Sequence, residues 1–123
     1  MSITGVDFAV VPTRDFARAV EFYGDVLGLE KSVQYGQHPG QEFETGNLTL
    51  AVLEIESFGG EFSASKAPIA LRVDNVAAAR EELESRGVSF TGDIVDSGVC
   101  HQAYFSDPDG NHLILHHRYA PRS

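Results

Sequence analysis

The side chains best equipped for chemistry gather near one end of the chain. Ser106 to His117 reads SDPDGNHLILHH, and Cys100 and His101 stand just before it. Three of the five histidines, His112, His116 and His117, lie in that stretch. An imidazole can bind a metal, hydrogen-bond a ligand or move a proton near neutral pH. Asp107-Pro108-Asp109-Gly110 is a turn with a physical basis. Pro108 presets one backbone angle, Asp109 can bond its own backbone, and Gly110 tolerates positive φ. Alternating strands flank the turn, VCHQAYF before it and HLILHH after it, so a β-hairpin is predicted. Pairing Ser106 with Asn111 across a four-residue turn sets His101 opposite His116 and Phe105 opposite His112. Opposed Cβ atoms lie about 4.5–5.5 Å apart. A one-residue bulge would move His101 to the other face.

Spacing limits what these residues can do together. His112 and His116 are about 13 Å apart along a strand, too far to share a metal. His116 and His117 point to opposite faces, and Cys100 alternates away from His101, which disfavours a Cys–His nucleophile. His101 with His116 is the one sensible pair. A metal would need at least a third ligand, and His38, on a loop, has no positional argument for that role. Without a metal, the pair suits hydrogen bonding or proton transfer. Arg72 can fix an anionic ligand group.

The elements that must carry these residues follow from pattern and punctuation. Val6–Val11 reads as a strand. Asp15 caps a helix reaching about Leu27, with Phe16, Val20, Tyr23 and Leu27 on one face and Gly28 after it. Strands are expected over 29–35, 41–45 and 48–55. Residues 57–67 are Gly- and Ser-rich and read as a connector. A strand over 69–73 follows. Asn75 then caps a second helix, with Val76, Ala79 and Leu83 inward and Gly87 at its end. A strand over 88–95 and the hairpin close the chain. The order is βαβββ, connector, βαβββ, with modules of about 1–56 and 68–118.

The two halves repeat. A shift of 60 lays Asp15 on Asn75, Ala19 on Ala79 and Glu21 on Glu81. A shift of 64 lays Gly46-Asn47 on Gly110-Asn111 and Leu48-Leu50-Val52 on His112-Ile114-His116. Such a repeat defines the architecture. It is α+β, two βαβββ modules forming a curved sheet around a cavity, each with a helix on one face. Strand period places Ala9, Val11, Thr49, Ala51, Leu53, Ile69, Leu71, Val73, Leu113 and Leu115 beneath the helices. Phe8, Val10, Leu48, Leu50, Val52, Pro68, Ala70, Arg72, His112, Ile114 and His116 then face the cavity.

Bulk properties narrow the function. The chain has 123 residues, 42% of them hydrophobic and 22% charged, which fits one globular domain. Its net charge of −9 argues against nucleic-acid binding, which needs a basic surface, and is compatible with steering a cationic guest inward. No apolar run is long enough for a membrane span, and MSITGVDF lacks the features of a signal peptide. The single cysteine, Cys100, cannot form an internal disulfide and fits a reducing cytoplasm.

Three pieces of the sequence resemble the vicinal oxygen chelate superfamily of glyoxalase I, bleomycin-resistance proteins, extradiol dioxygenases and fosfomycin-resistance enzymes. They are DFARAVEFYGDVLGL from Asp15, Arg72-Val73-Asp74 with Ala79 and Arg86-Gly87-Val88, and YFSDPDGNHLIL at 104–115. The resemblance implies a glyoxalase-like fold and a homodimer. In the family's metal enzymes, a His, Glu or Gln on the first and last strand of each half binds a divalent metal. Carried over, those positions fall on Phe8, Leu50, Pro68 and Ile114, none of which can donate to a metal. The resemblance therefore implies a small-molecule-binding protein without the usual metal or another cofactor, akin to the drug-sequestering bleomycin-resistance proteins. Its ligand contacts would be Phe8, Leu50, Arg72, His101, Phe105, His112, Ile114 and His116. No residue is assigned a catalytic role. The competing expectation is a metal-dependent lyase, isomerase or dioxygenase of glyoxalase type using His101 and His116.

Overall fold

The computed structural model describes residues 1–122 and contains two compact units, Met1–Ala64 and Ser65 onward. The first unit holds β1 (Ala9–Thr13), α1 (Phe16–Glu21), β2 (Glu30–Gln34), β3 (Gly40–Glu44) and β4 (Thr49–Glu54). Its sheet runs β1-β4-β3-β2, with β1 and β4 parallel and the other pairs antiparallel. The second unit holds β5 (Ile69–Arg72), α2 (Val76–Ser85), β6 (Phe90–Asp96), β7 (Cys100–Ser106) and β8 (His112–Arg118). Its sheet repeats the plan as β5-β8-β7-β6, with β5 and β8 parallel. The α+β architecture expected from the repeat is present, as two four-stranded mixed sheets that are not closed.

Both helices start where the caps stand. The Asp15 carboxylate accepts from the Arg18 N–H at 3.2 Å, and the Asn75 side chain accepts from the Ala78 N–H at 2.9 Å. Thr13, fully buried, braces the first cap by accepting from the Asp15 N–H and donating to its carbonyl, both at 3.0 Å. The first helix departs from expectation after one and a half turns. Phe22–Val26 widens into a π turn, closed by Leu27 N–H to the Phe22 carbonyl at 2.9 Å. Widening turns the neighbours Phe22 and Tyr23 both inward. Their rings meet edge to face at 5.3 Å, and Tyr23 reaches Phe43 at 6.0 Å. Gly28, at φ 73, ends the segment as expected.

Register corrects the face assignment in the first unit. Ala9 lies beside Leu50, and Val11 beside Val52. Leu50 and Val52, both 0% exposed, therefore pack with Val11 on the α1 side, and Ala51 takes the opposite face. The β4 sequence is apolar at both parities, so alternation alone carried no information there. In the second unit, Ile69 lies beside Leu113 and Leu71 beside Leu115, as expected. The last strands are thus related by 63 residues, not 64, which matches Leu50 to Leu113 and Ala51 to Ile114.

The hairpin is also displaced by one residue. Ser106 pairs with His112, so His101 faces His117 and Phe105 faces Leu113. The loop consumes Asn111 because its polar groups are needed inside it. Asp107 Oδ1 accepts from the Asp109 and Asn111 N–H groups, each at 2.9 Å, and Oδ2 accepts from the Asn111 amide at 2.8 Å. The Asn111 side-chain oxygen accepts from the Ser65 N–H at 2.8 Å. Asp107 and Asn111 are both buried, so these bonds compensate for lost water.

Candidate functional site

The one-residue displacement redistributes the side chains named from sequence. On β7, the face away from α2 carries Gln102 and Tyr104 in place of His101, Ala103 and Phe105. Two rows cross that face. Arg72, His116 and Gln102 form one row across β5, β8 and β7, and Ala70, Ile114 and Tyr104 form the next. Adjacent strands lie about 4.8 Å apart, so side chains within a row can share one small ligand. The Tyr104 hydroxyl donates to the Gln102 side-chain oxygen, leaving the Gln102 amide N–H groups available to a ligand. Ile114 and His116 are half-buried, and Arg72 and Tyr104 are exposed. His112 sits exposed at the start of β8, tied by its own N–H to the Ser65 carbonyl at 3.0 Å.

The other expected contacts lie elsewhere. Leu50 is in the core of the first unit. Phe105 is 3% exposed and packs on Phe90, ring centroids 4.9 Å apart, and the Arg80 guanidinium of α2 lies over the Phe90 ring. Neither can touch a ligand without unfolding its unit. Phe8, 46% exposed, precedes β1 and is available. His101 lies on the α2 side of β7, on the face opposite His116. There it stacks on Tyr119 at 4.8 Å and approaches Asp96 at 3.4 Å. Asp96 accepts from the Gly98 N–H at 2.9 Å and from the Tyr119 hydroxyl at 2.8 Å, and these bonds hold its carboxyl below the usual range. The Tyr119 hydroxyl is pushed up by the same bond. His117 is occupied by the Val73 carbonyl at 3.1 Å. The expected joint action of His101 and His116 is therefore corrected, because one register step put them on opposite faces.

Gln102 and Tyr104 were missed for the same reason. The signal for both was DPDGN itself. A loop that buries both Asp107 and Asn111 must be five residues long, and that length reverses β7 parity.

The family resemblance read from the sequence assigns four positions to metal ligands. They read as Phe8, Leu50, Pro68 and Ile114, and the register of the two parallel strand pairs moves the second from Leu50 to Ala51. All four offer only carbon. Among the described residues, no three His, Cys, Asp or Glu side chains converge as a metal would require.

The face of the first sheet away from α1 offers a different set. Tyr35 packs on Gly40 and Leu53 and donates its hydroxyl to Glu42 at 2.5 Å. Burial first, then that bond and the nearby negative charge, push the Tyr35 hydroxyl up to about 12. A groove of about 420 Å³ lies beside the β3–β4 turn, between Asp7 and Glu44. Both Glu44 oxygens are already engaged, by Ser32 at 2.5 Å and Thr49 at 2.6 Å. Those two bonds, Ser32 foremost, lower its pKa. Glu44 is thus a structural anchor of the sheet.

The comparisons with known proteins agree with this architecture. The family model described as Glyoxalase/Bleomycin resistance protein/Dioxygenase superfamily matches residues 5–115. No curated protein matches the chain. Among solved structures, TnmS3, an antibiotic binding protein from Streptomyces sp. CB03234, is 29% identical with a TM-score of 0.79, over 96% of this chain and 98% of that one. A superfamily member from Sphaerobacter thermophilus DSM 20745 is 25% identical with a TM-score of 0.78, over 93% and 97%. A glyoxalase/bleomycin resistance protein/dioxygenase from Nocardioides shares the fold at 20% identity and a TM-score of 0.75, over 100% and 92%.

Proposed function

We propose, from the premise that this chain belongs to the glyoxalase/bleomycin resistance protein/dioxygenase superfamily, that it binds a small molecule without a metal and sequesters it. The observation that carries this is the composition of the second sheet's face away from α2. Ile114, Ala70 and the Tyr104 ring supply an apolar floor, and Arg72, His116 and Gln102 supply directed polar groups along one edge. That mixture suits orienting a ligand. The superfamily's metal chemistry needs oxygen or nitrogen donors at positions where this chain has Phe8, Ala51, Pro68 and Ile114. The likeness to an antibiotic binding protein supports a drug or metabolite as the guest. Phe8 and His112 are further candidate contacts.

Two subsidiary readings accompany this one. The protein works as a homodimer, since β2 and β6 are exposed edge strands bearing Val33, Ile94 and Val95. It works in the cytoplasm, away from membranes and nucleic acid. The net charge of −9 and the single cysteine support this, and among the described residues no helix is long and apolar enough to cross a membrane.

A thermal-shift screen across aldehydes, catechols and cationic antibiotics, with and without a chelator, tests the function. The expected result is a stabilising ligand whose effect survives chelation and which is recovered unchanged. A stoichiometric metal in the purified protein, with turnover abolished by chelation, would establish the enzyme instead.

A further inference from the structure

We infer that the guest of the second sheet is an organic anion, an apolar body carrying a carboxylate, and that Arg72 and Arg118 receive its charge beside His116. This rests on the small-molecule reading above and specifies its chemistry. Arg118 lies two residues beyond His116 on β8 and so shares its face, about 7 Å further along the strand. Among the described residues its Nε is buried with no hydrogen-bond partner, while its terminal nitrogen reaches the Pro121 carbonyl at 3.3 Å. A buried N–H without an acceptor is costly, so this guanidinium gains from a shift that brings it to an incoming oxygen.

Arg72 is likewise uncommitted. Among the described residues no carboxylate lies within 4.0 Å of either guanidinium, whereas Arg80 and Arg86 are paired with Glu84 and Glu82. His116 and the Gln102 amide add donors between the two arginines. Guanidinium groups match a carboxylate in shape as well as charge. The neighbouring row, Ala70, Ile114 and Tyr104, accepts the apolar body.

The net charge of −9 does not oppose this. Residues 1–64 hold ten carboxylates against three basic side chains, and the remainder holds eight against six. The second unit is therefore close to neutral, and distant charges are screened over about 8–10 Å at ordinary ionic strength. Contact with two unpaired guanidinium groups outweighs a screened remote field. The cationic guest suggested by net charge alone is thus replaced by an anionic one.

Three probes of one shape test this: naphthoate, uncharged naphthamide and cationic naphthylmethylammonium. Each is titrated into the full chain and followed by calorimetry and by backbone amide shifts. Naphthoate is expected to bind at least about tenfold tighter than naphthamide. The shifts should centre on residues 70–72, 102–104 and 114–118, and the preference should weaken with added salt. Arg118→Gln and Arg72→Gln should each shrink that preference by weakening naphthoate more than naphthamide, and Arg118→Lys should restore part of it. Arg72 is exposed, so its variant remains informative if Arg118→Gln unfolds. Equal binding of naphthoate and naphthamide on this face would overturn the anion inference and leave the small-molecule reading standing. Tighter binding of the cation would do the same. If no probe moves any resonance of this face, both fall.

Discussion

Tyr35 and Asp96 show how single contacts tune groups on opposite sides of two similar sheets. Tyr35 is held neutral by burial and by the Glu42 carboxylate that its hydroxyl meets. Its folded pKa is raised, so its contribution to stability is complete below the ordinary tyrosine value and disappears as pH climbs towards about 12. In a spectroscopic titration of the four tyrosines, the transition missing from Tyr35→Phe should lie near that value. Glu42→Gln should move it downward without restoring the ordinary value, because burial remains. Asp96 is the reverse case. Its pKa is lowered by the Gly98 N–H and the Tyr119 hydroxyl, so its contribution is present above the ordinary carboxylate range and is lost as pH falls through the depressed value. Acidification should therefore release Tyr119 from His101 and Asp96, seen as a change in Tyr119 ring resonances. Asp96→Asn should abolish that acid transition, and its persistence would mean another group controls the segment. Of the residues named from sequence for ligand contact, Arg72, Ile114 and His116 lie together on one face. His101 does not, because type and spacing specify what a side chain can do but not which way a strand turns it.

At the scale of elements, the hairpin loop and strand β4 decide which side chains are available. Asn111 links Asp107 and Ser65 inside the hairpin loop. Asn111→Ala removes two buried hydrogen bonds and should cost about 1–3 kcal/mol in a denaturant melt. The same variant should shift amides along β7, since the loop sets the register. β4 gives a sharper test of face assignment. Leu50→Ala should destabilise by about 2–5 kcal/mol as a core truncation, with ligand affinity per folded molecule unchanged. Ile114→Ala, half-buried, should cost less stability and weaken binding more. The opposite ranking would return Leu50 to the ligand face. Element existence was legible in the chain because caps, helix-ending glycines and apolar runs are local signals. The π turn at Phe22–Val26 was not, since its wider winding is settled by how Phe22 and Tyr23 pack with Phe43.

At the scale of the molecule, the proposed dimer makes a direct prediction: sedimentation at micromolar concentration should report about twice 13.4 kDa. Charged substitutions in the exposed edge strands, such as Val33→Lys and Val95→Lys, should identify the edge used by reducing that mass. The amino-acid order alone determined the duplicated βαβββ plan and both helix caps. Each of those depends on neighbours within a few residues or on comparing one half with the other. The tertiary structure decided the parity of β4 and β7, which puts Leu50, Phe105 and His101 on the helix side of their sheets and Gln102 and Tyr104 on the other face of theirs. The physical reason is that a strand repeats every two residues. One amino acid drawn into a loop to satisfy a buried aspartate reverses one flanking strand relative to the other, and only the completed hydrogen-bond ladder reveals whether that residue was drawn in.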